Sequence, residues 1–211
     1  MFSRELEKYI LNHIEPEDEI LRELDRETHL NVLGSRMISG HLQGAVLTML
    51  SKMIQPERIL EIGTFTGYSA ICLARGLKPG GKLITLEIDD ELEAIARKYF
   101  EKAGLQNQIE HKIGPALEII PTLAAPFDLV FIDAHKPEYP AYYKLVFDKV
   151  KPGGYIIADN TLWNGKVTGV AASDDFQTLG IQAFNDLIKN DPRVEKVILP
   201  LRDGMTVIRK K

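Results

Sequence analysis

From residue 58 onward, short apolar runs alternate with amphipathic stretches, and the hydrophobic period switches between that of a strand and that of a helix. Arg58-Ile59-Leu60-Glu61-Ile62 reads as a strand, 63–67 as a turn and 68–76 as a helix. Further strands are expected at 82–88, 109–113, 127–133 and 155–158, with helices at 91–103, 116–123, 139–150 and, after a loop, 178–189. Strand followed by helix, repeated with short links, predicts a mostly parallel α/β sheet covered on both faces. The end breaks the alternation. Residues 194–199 and 205–209 are two strands joined by 200–204, which contains Asp203-Gly204, so an antiparallel hairpin completes a seven-stranded sheet. Upstream, 3–12 and 17–29 pattern as helices split at Pro16, 30–40 as loop, and 41–54 as a helix stopped before Pro56. Met49 and Met53 fall on the expected core face of that last helix, with Leu47 and Leu50.

Composition narrows the class. The 211 residues are 45% apolar and 27% charged, ordinary for a globular chain with a full core. No repeat or low-complexity linker divides them, so residues 1–211 are expected to form one domain, with 1–40 as an N-terminal helical extension. A net charge of −4 gives no global basic field for nucleic acid or anionic membrane. The apolar-leaning run 37–51 is too short and too polar to span a bilayer, and the N-terminus is charged and amphipathic. The lone Cys72, set among apolar neighbours, reads as core, and a cytoplasmic protein is expected.

Candidate chemistry clusters at the carboxyl ends of the expected strands, where open α/β sheets bind ligands. LEIGTFTGYSA lies on the first strand-to-helix turn. Gly63 and Gly67 are four apart, so the turn is neither a dinucleotide fingerprint nor a phosphate loop. It is a ligand-approach turn or a tight connection. Glu87 ends the next strand, LITLEID, as a ribose-binding acid or as a capping acid.

The segments MISGHLQG, LEIGTFTGYS, LITLEID, IGPALE, FIDAHK and IADNTLWNG come in the order and spacing of a known family. Over residues 30–211 the chain resembles the S-adenosylmethionine-dependent O-methyltransferases, in the cation-dependent branch that includes caffeoyl-coenzyme A and catechol O-methyltransferases. The resemblance implies a Rossmann-like class I methyltransferase fold and S-adenosyl-L-methionine as cofactor. It also implies site roles. Glu61, Gly63 and Thr64 line the methionine end of the cofactor, followed by Tyr68 and by Ser69, which holds the amino-acid carboxylate. Glu87 takes the ribose, and Ala116 lies beside the adenine. Met37 and Ser39 cover the methyl-donor side from the N-terminal extension. Asp133 and His135 border the cofactor, His135 standing where plant-type members have an acid. The resemblance also suggests a homodimer, using the N-terminal helices.

Asp133 closes one expected strand and Asp159-Asn160 the next. Adjacent residues of a regular strand point to opposite faces, so Asp159 and Asn160 converge only where the strand has turned into its loop. Two carboxylates and an amide oxygen suit a hard cation, Mg²⁺ first, then Mn²⁺ or Ca²⁺. The other reading is that both acids cap helices and loops. The resemblance implies the same three residues as metal ligands. Lys136, three residues beyond Asp133, is then a general base for a metal-bound hydroxyl, or else a solvated surface lysine.

On the substrate side, Trp163 is the only tryptophan. It walls an aromatic substrate or packs its own loop, and Asn164 resembles a substrate-contacting asparagine of the family. The loop 165–178 is rich in small residues and is expected to move over the substrate, while Arg36 and its neighbours 30–39 form the opposite wall. The expected acceptor is a small aromatic with two adjacent hydroxyls. The alternatives are a hydroxylated tRNA base on the same fold, served by a local basic surface of Lys144, Lys149, Lys151, Lys166, Arg209, Lys210 and Lys211, and, in another class, a nicotinamide-dependent oxidoreductase or a non-catalytic binding protein.

Overall fold

A computed structural model describes residues 4–211. The first expected helix therefore begins with α1, Arg4–Leu11, and its residue 3 lies outside the described residues. The second helix is α2, Glu19–Asn31, two residues later than the sequence suggests at each end. Its start is set by Asp18, whose carboxylate accepts from the amides of Ile20 and Leu21. After a short 3₁₀ turn at Ser35–Met37, α3 covers Gly40–Ile54.

The strands are β1 (Arg58–Ile62), β2 (Lys82–Glu87), β3 (Ile109–Ile113), β4 (Phe127–Ile132), β5 (Val150–Asp159), β6 (Val194–Leu199) and β7 (Met205–Lys210). The helices between them are α4 (Tyr68–Ala74), α5 (Glu93–Lys102), α6 (Ala116–Thr122), α7 (Tyr139–Phe147) and α8 (Phe176–Lys189). All seven strands form one sheet in the order β3-β2-β1-β4-β5-β7-β6. The first five are parallel, and β7 pairs antiparallel with both β5 and β6. The order reverses between β1 and β4, whose carboxyl ends carry the glycine turn and Asp133.

Period-2 alternation assigns the two faces. Leu60 and Ile62 pack with Val130, Ile132 and the inner sides of α6, α7 and α8. Ile59 packs with Leu83, Phe131, Ile157 and the layer formed by α2, α3, α4 and α5. All seven residues of α4 are buried, because it lies between the sheet and the N-terminal helices. Cys72 is core, as expected.

Two expectations fail here. Met49 and Met53 are 60% and 74% exposed. The core face of α3 runs instead through Gln43, Gly44, Leu47 and Ser51, so two polar residues belong to the buried stripe. Strand β5 begins five residues early, because Val150 already pairs with Phe127 ahead of a register shift in β4. Lys151-Pro152-Gly153-Gly154 looks like a turn in sequence, yet this bulged segment enters the sheet.

Candidate active site

A cavity of about 1990 Å³ opens over the carboxyl ends of the parallel strands. Of the expected site residues, Met37, Ser39, Gly63, Thr64, Tyr68, Ser69, Glu87, Ala116, Asp133, His135, Lys136, Asp159, Asn160, Trp163 and Asn164 all line it. Glu61 does not. It is fully buried in β1, on the face turned toward α3, α4 and α5.

Gly63 explains why the glycine turn can sit there. Its φ is +100°, and a Cβ would lie 2.0 Å from the carbonyl oxygen of Asp133. Only a residue without a side chain lets the β1 turn run against the end of β4. The amides of Gly63 and Thr64 donate to the Leu86 carbonyl, and the Asp133 amide donates to Ile62. The turn, the end of β2 and the end of β4 are thus tied into one floor.

Beneath that floor runs a buried polar line. The hydroxyls of Thr64 and Thr85 are 2.6 Å apart, and Thr85 donates to Oε2 of Glu61 at 2.5 Å. Burial pushes the Glu61 carboxyl up to about 8, with the charges of Asp133 and Glu87 adding to the rise and the hydroxyls of Ser69 and Thr85 opposing it. Oε1 of Glu61 has no partner, so this group reaches the site through the floor and not from the wall.

Glu87 plays the anchoring part foreseen as one of its two readings. Its Oε2 accepts from the Phe65 amide at 2.7 Å, and its Oε1 from the amides of Ile88 and Asp89. It also faces the cavity, where Oε2, with one amide bound, has a further acceptor site to offer a hydroxyl.

Asp133, Asp159 and Asn160 meet where β4 and β5 end. The β5 strand stops at Asp159 and Asn160 takes a left-handed φ of +58°, so the chain has turned at the point convergence requires. Asp159 is 3% exposed. Burial first, and then the charge of Asp133, push its carboxyl up to about 6. Its Oδ2 accepts from Nε2 of Gln43 at 2.8 Å, while Oδ1 is buried with no partner. An orphaned carboxylate oxygen beside a second carboxylate and an amide is what a hard cation would complete, so these residues fit a divalent metal. Among the described residues, no three His, Cys, Asp or Glu side chains gather as a metal cluster, which leaves this mixed set as the candidate.

Lys136 is not a solvated surface lysine. It is 7% exposed, and its Nζ donates to Oδ1 of Asp133 at 2.8 Å and to the Tyr139 phenol at 2.7 Å. Tyr139 in turn donates to the Asp159 carbonyl at 3.1 Å. Burial holds the Tyr139 phenol neutral, with the negative charges of Asp133 and Asp159 adding to the effect. Tyr139 was not singled out in the sequence, where it reads as one more apolar position of α7. His135 sits at the rim, its ring 58% exposed and Nδ1 3.6 Å from Glu138.

The segment after Asn160 is backbone-strained. Trp163, Asn164 and Gly165 all have positive φ. The β6–β7 hairpin holds them: Thr161 donates to the Gly204 carbonyl, Leu162 to the Asp203 carbonyl, and the Asn164 amide to the Asp203 carboxylate at 2.5 Å. Trp163 packs against the core and also lines the cavity. The loop expected over 165–178 is shorter, because a 3₁₀ stretch runs to Thr168 and α8 begins at Phe176 under an Asp175 cap. On the opposite wall Arg36 is exposed at the cavity. The cover there is anchored by Thr28 to Thr66, at 3.0 Å, and by the Tyr68 phenol to Glu17, at 2.6 Å.

An open sheet with this strand order and an antiparallel edge pair, its ligand cavity over a glycine turn, is that of the class I S-adenosylmethionine-dependent methyltransferases. Within that class the chain belongs to the O-methyltransferase family, whose model matches residues 12–211. The match takes in α2, which the sequence resemblance left out. A catechol O-methyltransferase of Niastella koreensis is 39% identical over 174 residues, 78% of each chain. Caffeoyl-CoA O-methyltransferase 2 of Petunia hybrida is 36% identical over 203 residues, 90% of this chain and 81% of that one. Among solved structures, an O-methyltransferase of tomaymycin synthesis from Streptomyces achromogenes, in complex with S-adenosylmethionine, superposes with a TM-score of 0.92 at 31% identity over the whole of both chains. The O-methyltransferase from Bacillus cereus, in complex with S-adenosylhomocysteine, gives 0.90 at 33% identity over 98% of this chain and 97% of that one. The chain is therefore an S-adenosylmethionine-dependent O-methyltransferase of the catechol/caffeoyl-CoA type. The nicotinamide and non-catalytic readings fall with that membership. No helix among the described residues is long and apolar enough to cross a membrane.

Proposed function

We propose that the chain methylates one hydroxyl of a small aromatic carrying two adjacent hydroxyls, with a divalent cation held by Asp133, Asp159 and Asn160. The observation that carries this reading is the unpartnered, buried Oδ1 of Asp159 beside Asp133 and Asn160. The names of the catechol and caffeoyl-CoA relatives support the acceptor class. Such a cation, Mg²⁺ first, would supply Lewis acidity that eases ionisation of the acceptor hydroxyl.

The chain's own residues do the rest. Nζ of Lys136, in its neutral form, takes the phenolic proton, and Tyr139 and Asp133 fix where Nζ stands. Ser69 and the Gly63–Thr64 turn hold the methionine end of the methyl donor, Glu87 the ribose, and Ala116 the adenine edge. Met37 and Ser39 close over the donor, with the described residues 4–40 acting as a cover of the domain. Trp163 and Asn164 orient the acceptor ring, and Tyr68 walls the donor side from α4. Holding the oxygen, the methyl carbon and the departing sulfur in line gives most of the rate gain. The expected homodimer belongs to this reading, with exposed Leu6 and Tyr9 of α1 as apolar contacts. The tRNA alternative has less support, since Lys151, Lys166 and Arg209 of the expected basic surface are paired with Asp128, Asp175 and Glu195.

The test compares 3,4-dihydroxybenzoate with 4-hydroxybenzoate as acceptors under Mg²⁺, with the products read by mass spectrometry. Methylation of the diol alone is expected. Equal methylation of both acids, or of a hydroxylated tRNA in preference to either, would overturn the acceptor class.

A further inference from the structure

Arg202 is the residue that the catalytic account leaves unexplained. It sits in the β6–β7 hairpin with a φ of +49°, a left-handed conformation that an arginine rarely adopts. Arg202 is exposed overall, yet its Nη1 is committed inward. It donates to the carbonyls of Ile38, at 3.2 Å, and Ser39, and to Oε1 of Gln43 at 2.7 Å. Gln43 is 1% exposed, and its other amide atom, Nε2, donates to Oδ2 of Asp159.

We propose that Arg202 is a positioning residue for the metal ligand Asp159, acting through Gln43 by fixing which end of the Gln43 amide faces the carboxylate. This inference rests on the metal-binding reading above. The physical reason is the asymmetry of an amide. A buried glutamine has one acceptor end and one donor end, and turning it over would set Oε1 against the Asp159 carboxylate. Arg202, which can only donate, accepts one orientation alone. With Nε2 thus held on Oδ2, the carboxylate plane is set and Oδ1 is the oxygen left for a cation. Partners of this kind orient ligating carboxylates in metal sites generally.

The hairpin is built to deliver this contact. Gly204, at φ +88°, lies so close to Leu162 that a Cβ there would meet Leu162 Cγ at 2.4 Å. The same few residues therefore grip the segment after Asn160 on one side and, through Arg202, the N-terminal cover and α3 on the other. The antiparallel ending of the sheet thus connects three parts of the site that are far apart in sequence.

Arg202→Gly is the informative substitution, because glycine takes this φ without strain and the hairpin keeps its shape. Two readouts decide the proposal. The first is the Gln43 side-chain amide pair in ¹H–¹⁵N spectra of the full chain without metal. The second is Mn²⁺ binding by electron paramagnetic resonance in wild type, Arg202→Gly, Gln43→Ala and the double variant. Arg202→Gly is expected to shift the amide pair and speed its exchange with water, and to weaken Mn²⁺ binding by about tenfold. The double variant is expected to bind no more weakly than Gln43→Ala alone. Unchanged amide resonances, an unchanged Mn²⁺ affinity, or losses that multiply in the double variant would overturn the proposal. Wild type that binds no Mn²⁺ would overturn the metal reading itself, and the amide resonances would then decide whether Arg202 fixes Gln43.

Discussion

Nζ of Lys136 lies 2.8 Å from Oδ1 of Asp133, with the lysine side chain 9% and the aspartate side chain 21% exposed. A lysine held this far from water gives up hydration for specific partners. Here those partners are a candidate metal ligand and the neutral phenol of Tyr139. On the proposed function, the pairing sets the proton-handling atom beside the oxygens that would hold the cation.

Replacing Lys136 with methionine keeps the aliphatic stem and removes the nitrogen. The turnover number should fall by about 10²-fold or more, the usual scale for a lost general base. S-adenosylhomocysteine affinity, measured by calorimetry, should stay within about twofold, since the lysine nitrogen is assigned no cofactor contact. Full activity in the variant would remove Lys136 from the mechanism.

Glu61 makes a pH prediction whose sign follows from its raised pKa. Unfolded, the carboxyl titrates near the ordinary glutamate value of 4.5; folded, burial pushes it up to about 8. Between those values the folded state holds a proton that the unfolded chain releases, so stability falls as pH rises. The contribution is complete below about pH 4.5 and is lost as pH passes through about 8. Glu61→Gln has no such proton. Its stability relative to wild type should therefore climb from pH 5 to pH 8, by on the order of a few kcal/mol. Urea unfolding of both proteins without ligand at the two pH values measures this, and a constant difference would contradict it.

Gly63→Ala tests the junction of β1 and β4. The added methyl would meet the Asp133 carbonyl at 2.0 Å on a backbone with φ +100°. A loss of roughly 3 kcal/mol or more is expected, from overpacking and backbone strain together. Cofactor affinity should fall with it, because the turn and Asp133 cannot both keep their places. Urea unfolding and calorimetry with S-adenosylhomocysteine read the two effects.

Most of the sheet was legible because strands buried on both faces are short apolar runs and Asp-Gly marks the hairpin. The edges were less legible. Residues 151–154 look like a turn yet join β5, since a bulge is a property of two strands and not of one sequence. The exposed faces of Met49 and Met53 were misread because Gln43 and Ser51 occupy the buried stripe of α3. Gln43 is there to reach Asp159, 116 residues away. Of the candidate site residues, Glu87, Asp133 and Asp159 at strand ends line the cavity, where their position in the sequence puts them. Glu61, expected at the methionine end of the cofactor, lies beneath the cavity floor, a depth that only the packing of β1 shows. Tyr139, Gln43 and Arg202 carried no local signal: each acts through a partner that only the fold brings near.

The most direct test of the central claim is transfer of labelled methyl from S-adenosylmethionine to 3,4-dihydroxybenzoate, with Mg²⁺ and then with excess EDTA. The account predicts turnover that EDTA abolishes, that fresh Mg²⁺ restores, and that Asp159→Asn lacks in both conditions. Turnover that persists undiminished in EDTA would contradict the assignment of Asp133, Asp159 and Asn160 as the holders of a catalytic cation.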